Sequence, residues 1–544
     1  MPGPVELIPV HEYHQRSKHR LTAYAAGPEV LDWDDQPEAF RWFEGASRID
    51  LPLLADEVEA AFVDVYRPER ALSERSAFAC LAILLERALG LAAWKSYGDS
   101  RWALRCNPSS GNLHPTELYV ITAGLTGLVA GVYHYLSRDH QLEQRCQLDP
   151  RRMASCLPGG SLLVALSSVH WREAWKYGER AYRYCQHDCG HAIAALAYAA
   201  APLGYSLRLL DTWGDEDIAA VAGLDRAQDF AGAEREHPDV MLLLEPGTGG
   251  VVNPDVAALA AQAVEAVWYG QANCLSVRHS HHWPVVDEIA AACRKPVTAA
   301  LSAEILPHRP QPLSSDCTER AMTLFLRRRS AQQFDGRTSI TGRMLYRMLD
   351  MTLPRPDVVP WSALPLETRI HLVLFVHRVE GLKPGLYLFC RDPGKLDRLR
   401  AGLIRPEFQW RKVPDCPLRP PLYSLVSANC RNAAATLSCH QSIAGDSAFS
   451  VVMLAEFDAV LEAGNWMYRQ LYWEAGMLGQ VFYLEAEAAG VSGTGIGCFF
   501  DDAVHETLGI KDTRLQSLYH FTVGGALVDE RLTTWPPYYH LDRG

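Results

Sequence analysis

Tyr182–Asp225 reads YRYCQHDCGHAIAALAYAAAPLGYSLRLLDTWGDEDIAAVAGLD, and Tyr468–Lys511 reads YRQLYWEAGMLGQVFYLEAEAAGVSGTGIGCFFDDAVHETLGIK. A constant offset of 286 aligns Tyr182 with Tyr468, Arg183 with Arg469, Gly190 with Gly476, Gly204 with Gly490, Asp215 with Asp501 and Gly223 with Gly509. The match runs over 44 positions without a gap. A second echo sets GVYHY at Gly131–Tyr135 against GLYLF at Gly385–Phe389, at another offset. The repeat is far longer than the roughly 20–50-residue unit of a solenoid, so it reads as the duplication of one domain.

Working outward, Gln271–Pro284 (QANCLSVRHSHHWP) and His308–Asp316 (HRPQPLSSD) read as connections, with a short helix between them over Val285–Ala300. This divides the chain into a first domain at 1–285, a linker at 286–317 and a second domain at 318–544. Strands are predicted at Leu118–Thr122, Leu162–Leu166, Val240–Leu244, Ile370–Phe375 and Tyr519–Val523. Helices are predicted at Ser76–Leu89, Ala181–Ala201 and Tyr468–Ala489, the last two apolar on most faces and hence central and buried. Each half is therefore α+β.

The chain has 544 residues, 48% of them hydrophobic and 21% charged, enough to bury sizeable cores. Its net charge of -12 argues against nucleic acid and anionic membrane as partners. The opening MPGPVELIPVHEYHQRSKHR lacks the basic start and apolar run of a signal peptide, and no apolar stretch approaches bilayer-spanning length. The 14 cysteines follow no regular spacing, which fits a reduced, cytoplasmic protein.

Four segments carry residue types suited to chemistry. RCNPSSGNLHPTE at Arg105–Glu117 makes a tight turn rich in hydroxyls and free amides. GTGIGC at Gly493–Cys498 allows close approach to backbone, but follows a helix rather than a strand and is no dinucleotide fingerprint. RRRSAQQFD at Arg327–Asp335 offers charge-assisted bonds to a phosphate. WREAWKYGERAYRY at Trp171–Tyr184 sets Lys176 and Tyr177 among aromatics, where proton transfer is feasible. Taken singly, each also reads as an ordinary turn or a solvated basic segment. HSHHW at His279–Trp283 lacks the paired ligands of a structural zinc site, so no metal is expected, and GDS at Gly445–Ser447 is no serine-hydrolase elbow.

As a set, RCNPSSGNLHPTELYVI, WREAWKYGERAYRYCQHDCGHAIAA and GTGIGCFFDDAVHETLGI, with YHQRSKHRLTAYA and LDWDDQP before them, resemble the SagB/ThcOx-type dehydrogenase branch of the FMN-dependent nitroreductase superfamily, in a tandem form. The resemblance implies a nitroreductase-like fold, a mixed sheet flanked by helices, duplicated in one chain as an intramolecular pseudo-dimer. It implies FMN at the interface of the two halves. Arg328 and Ser330 match the phosphate-gripping R-x-S pattern, although Gln332 stands where a further arginine is common. Gly495, Ile496 and Gly497 match the segment beside the reactive ring edge. Arg531 matches a basic residue that also reaches the phosphate. Pro108, Ser109, Ser110 and Asn112 match the segment that the other half lays over the ring.

The converse set is poor. Leu207, Leu209 and Asp211 stand opposite the three glycines, Gln15, Ser17 and His19 replace the arginine pattern, and PWSALP at Pro360–Pro365 replaces PSSGN. One complete FMN site per chain is the expectation. Lys176 and Tyr177 resemble the pair that removes a proton during azoline oxidation in azole-forming members. The implied activity is thus FMN-dependent dehydrogenation of a peptide or small natural product, with oxygen as reoxidant. An NAD(P)H-dependent nitro or quinone reductase is one alternative, and a non-catalytic partner of a modifying enzyme is another. Further oligomerisation stays open, because the duplication completes the site without it.

Overall fold

The computed structural model describes residues 8–67, 70–157, 159–247, 253–300, 307 and 309–541. The first seven residues and His308 of the Pro- and Ser-rich connection lie outside the described residues.

Each half is built on a seven-stranded sheet. The first contains β1 (Arg48–Asp50), β2 (Thr116–Thr122), β3 (Gly131–Leu136), β4 (Gln141–Gln147), β5 (Leu162–Ser168), β6 (Tyr205–Leu209) and β7 (His237–Pro246), in the order β1-β4-β3-β2-β5-β7-β6. The second contains β8 (Ile370–Val376), β9 (Gly385–Phe389), β10 (Arg411–Lys412), β11 (Leu422–Ser427), β12 (Phe449–Glu456), β13 (Ser492–Ile496) and β14 (Leu515–Gly524), in the order β10-β11-β9-β8-β12-β14-β13. Six strands correspond one for one, β4-β3-β2-β5-β7-β6 with β11-β9-β8-β12-β14-β13; the edge strand differs, β1 preceding the rest of its sheet in the chain and β10 lying between β9 and β11. GVYHY and GLYLF fall on the equivalent strands β3 and β9. In both sheets strands joined by hairpins lie beside strands reached by longer crossovers. Direction is antiparallel in every described pairing within them.

Both sheets are buried on two faces, and alternation along the strands sorts the side chains. Leu118 and Val120 of β2, with Leu372 and Leu374 of β8, point into one core shared by both halves. Tyr119 and Ile121 enter an outer core of the first half, and Val373 and Phe375 enter that of the second. Between the sheets lie two long helices, α2 (Ala181–Ala200) and α5 (Met467–Ala488). Every residue of α2 is buried, as are those of α5 from Tyr468 to Glu487. Around them the site elements are α1 (His170–Tyr177), α3 (Ala321–Arg327), α4 (Arg431–Leu437) and α6 (Asp501–Leu508).

The matched residues of the repeat meet one another. A Cβ on Gly190 would collide with the Trp473 backbone, and one on Gly476 would collide with the carbonyl of His187. Glycine inside a helix costs about 0.5–1 kcal/mol relative to alanine, and here it lets two backbones touch. The rings of Tyr182 and Tyr468 lie parallel, their centroids 6.5 Å apart. Arg183 Nη1 contacts Asp501 at 2.8 Å and Arg469 Nη2 contacts Asp215 at 2.9 Å, all four side chains under 10% exposed. Each arginine therefore reaches the acid of the opposite half, the reciprocity of a two-fold interface. Burial would raise the Asp501 pKa, but the charges of Arg180 and Arg183 outweigh it and hold the carboxyl well below its usual range.

The chain ends cross over as well. Thr533–Trp535 adds a third strand to the first-half hairpin Leu91–Tyr97/Ser100–Arg105, with Trp535 opposite Trp94, and the Leu91 N–H donates to the Tyr538 hydroxyl at 2.9 Å. At the other end, His19 pairs with Phe500, and the Asp501 N–H donates to the His19 carbonyl. Within the expected linker, the helix Pro284–Ala292 buries Val285, Val286 and Ile289.

Replacing Asp501 by Ala leaves Arg180 and Arg183 buried without their counter-charge, and is expected to cost about 3–5 kcal/mol in urea denaturation at pH 7. Arg183→Met in the same protein should recover part of that loss. An additive double variant would mean that the pair is not coupled.

Candidate functional site

A cavity of about 710 Å³ opens where the two halves meet. The first half supplies Asn107–Asn112, Tyr177, Tyr184 and Asp188; the second supplies Arg327–Gln332, Tyr483 and the strand β13 with Gly497 and Cys498. No single half holds both sets.

The second-half wall carries two arginines without a direct ion pair among the described residues, with the Glu487 carboxylate on the same wall offsetting part of their charge. Arg328, 3% exposed at the end of α3, donates through Nε to the Cys106 carbonyl (3.0 Å) and through Nη2 to the Arg105 carbonyl (3.2 Å), and lies 5.0 Å over the Tyr483 ring. Its Nη1 is buried and without a partner. Arg329 donates only to backbone carbonyls, including that of Ala92 at 2.9 Å. Burial, reinforced by Arg328, draws the Arg329 pKa down to about 10. Among the described residues neither arginine has an ion pair. Ser330 shares a hydrogen bond of 2.7 Å with the Tyr483 hydroxyl, which also accepts from the Gly495 N–H at 2.9 Å.

β13 runs along the same wall, antiparallel to β14, with Gly495 opposite Phe521 and Ile496 opposite His520. The Ile496 side chain is buried in the outer core of the second half. A Cβ on Gly495 would strike the Tyr519 hydroxyl, and one on Gly497 would strike the Tyr184 ring. Aromatic rings beside the strand thus demand the glycines.

The first-half wall is the turn Pro108–Asn112. Gly111 takes φ +60°, and its missing Cβ leaves room for the Tyr177 Oη at 2.5 Å and the Lys176 Nζ at 3.1 Å. The end of α1 therefore brings two neighbours in sequence to one point above the turn, with Tyr177 on the cavity wall. Below, Asp188 of α2 accepts from the Ser110 N–H and hydroxyl, both 3.1 Å. Burial pushes the Asp188 pKa up to about 7 against these bonds. Glu173, fully buried with neither carboxylate oxygen partnered, is raised further by burial and by Asp188 nearby. Burial and Glu173 also raise Tyr177, which keeps its proton at neutral pH.

Pro108, Ser109, Ser110, Asn112, Tyr177, Arg328, Ser330, Gly495, Ile496 and Gly497 all line the cavity. Lys176 stands just behind, against Gly111. Arg531 does not line the cavity; it is exposed and held by Asp529 at 2.8–2.9 Å. Asp188 and Tyr483 were not singled out from sequence, and Arg329 was read only as part of the Arg327–Asp335 cluster. Asp188 had a visible signal: it is the one carboxylate in a helix that the sequence reads as central and buried. The HSHHW segment serves packing, His279 pairing with Glu234 at 2.9 Å and His281 stacking on Trp283.

The converse position is filled. The turn Trp361–Ala363 packs against β6 where the first-half turn faces β13, and Trp361 is buried. Glu474, matched by the repeat to Asp188, is spent on a buried pair with Arg391 and on the Arg369 N–H (3.0 Å).

The nitroreductase family model matches residues 41–233 and 426–525, more than half the chain. The chain belongs to this family. Members are generally FMN-dependent oxidoreductases. Among similar proteins, one of Methanocaldococcus jannaschii described as a nitroreductase is 24% identical over 177 residues, which are 31% of this chain and 87% of that one. The trifolitoxin-processing protein TfxB of Rhizobium leguminosarum bv. trifolii is 34% identical over 142 residues, 24% of this chain and 38% of that one. A crystal structure of a nitroreductase from Anabaena variabilis covers 95% of this chain and 99% of its own, with TM-score 0.67 and 22% identity, and so shares the fold over almost the whole length.

Asp188 binds its proton more tightly folded than unfolded, so it lowers stability as pH rises from about 4 to about 7. Asp188→Asn is expected to lose that slope. Denaturation midpoints of both proteins across this range check it, and parallel curves would refute it.

Proposed function

We propose that the composite cavity holds one FMN and that the chain is an FMN-dependent dehydrogenase or oxidase of a peptide or small natural product, of the azoline-to-azole type. The observation that carries this reading is the Arg328–Arg329 pair, which has no direct ion pair among the described residues and one nitrogen buried and unpartnered, on the wall that also bears the glycine strand. Such a donor set suits a phosphate monoester, and the glycine strand opposite the Pro108–Asn112 turn suits a flat ring. Arg328, Arg329 and Ser330 are assigned to the phosphate; Gly495, Ile496, Gly497 and the turn Pro108, Ser109, Ser110 and Asn112 are assigned to the ring. Arg531 joins the phosphate set only by leaving Asp529.

When bound, FMN supplies hydride exchange with the substrate. The chain supplies position and proton transfer. Lys176 and Tyr177, meeting over Gly111, are assigned as the pair that takes the substrate proton, with Tyr177 as the hydroxyl donor. Asp188 fixes the turn that faces them through Ser110. The identity to a trifolitoxin-processing protein supports a natural product as substrate.

The purified full chain is expected to show a flavin spectrum and to release one FMN per chain. Lys176→Ala should keep that stoichiometry while turnover of an azoline substrate falls by about 100-fold or more. Two FMN per chain would overturn the single site, and failure to take up FMN would overturn the reading. Rapid bleaching of the flavin by NAD(P)H would turn it towards a reductase.

A further inference from the structure

Two cysteines sit on adjoining segments beside the cavity. Cys498 follows Gly497 and lines the cavity, while Cys439 lies just after α4 in the left-handed backbone region, φ 53°. The two segments are stitched together on both sides of the pair. The Phe500 N–H donates to the Leu437 carbonyl at 2.9 Å, and the Gln441 amide donates to the Cys498 carbonyl at 3.2 Å. Both cysteines are half-buried, and these two bonds bracket them, so that each side chain acts on the other.

A third group completes the set. The His19 Nδ1 accepts from the Ala25 N–H at 2.9 Å, so the neutral ring carries its proton on Nε2, and the ring lies near enough to Cys498 for the two to act on each other. His19 is fixed by its backbone bonds to Asp501. Arg180 adds positive charge from the start of α2, Asp501 adds negative charge at the start of α6, and the hydroxyls of Tyr24, Tyr177 and Tyr184 complete the surroundings.

We propose that Cys498 and Cys439 form a redox-active dithiol site, with Cys498 as attacking thiolate, Cys439 as resolving thiol and His19 as its positioning residue, that reacts with low-molecular-weight disulfides entering through the cavity. The Cys439 thiol, then His19, stabilise the Cys498 thiolate and hold its pKa below the ordinary thiol range, while the same pairing raises Cys439. The thiolate attacks one sulfur of the small disulfide, forms a mixed disulfide and expels one small thiolate. That thiolate takes the proton of Cys439. Cys439 then attacks the Cys498 sulfur and expels the second small thiolate, which takes a proton from solvent. Two electrons pass from the protein dithiol to the small disulfide, leaving a Cys439–Cys498 disulfide and two small thiols. The product ties the segment after α4 covalently to the segment after β13.

The test uses the full chain in glutathione/glutathione-disulfide buffers of stepped ratio, quenched in acid with N-ethylmaleimide and mapped by mass spectrometry. A Cys439–Cys498 disulfide that grows with the oxidised fraction and is reversed by dithiothreitol is expected. Cys439→Ser should stop at a glutathione adduct on Cys498, and Cys498→Ser should leave Cys439 unmodified. In the unmodified chain at pH 6, iodoacetamide should label Cys498 at least about tenfold faster than the exposed Cys274, and His19→Gln should remove most of that advantage. No intramolecular disulfide in fully oxidised buffer, or equal labelling of Cys498 and Cys274, would overturn the proposal.

Discussion

The close crossing of two buried helices at Gly190 and Gly476 is the contact on which the molecule turns. Only a residue without a side chain lets the backbones meet there, and that meeting sets the distance between the two sheets. Once the distance is set, Arg183 and Arg469 reach the acids of the opposite half. Those ion pairs lie in the shared core, where a charge without its counter-charge is costly. The crossing and the pairs specify one relative placement of the halves, and the cavity between them inherits its dimensions from that placement.

Within this symmetric frame the two equivalent positions have diverged. On one side an acid of the central helix orders a turn rich in hydroxyls, and arginines without counter-ions face it. On the other side the matched acid is consumed by Arg391, and Trp361 fills the space. The difference is a few side chains on an unchanged backbone plan. A duplicated domain can thus keep one position for its framework and the other for chemistry.

The repeat was legible because the pairs that hold the halves together are the residues that survive in both copies: glycines at the crossing, and arginines and acids in the core. The seven-stranded sheets were only partly legible. β4 reads QLEQRCQ and β10 is two basic residues, so neither carries an apolar run, and the hairpin Leu91–Arg105 depends on a strand from the far end of the chain. In the cavity, contiguous motifs were readable as motifs. Asp188 and Tyr483 were not part of any such motif, because their importance comes from what folding sets opposite them. Arg531 shows the reverse case: a residue of the right type in the right stretch, engaged by its own neighbour Asp529.

The crossing also has a consequence for biosynthesis. α2 leaves the ribosome 286 residues ahead of its partner. At about 5–20 residues per second, translation of that interval takes roughly 15–60 s. For that time a helix that is buried throughout in the finished fold, and the inner face of the first sheet, have no second half to cover them, which makes the nascent chain a natural client for chaperones. A chain that carries both copies of its fold escapes the search for a second subunit, and in exchange it must shelter an unfinished interface until its own translation ends.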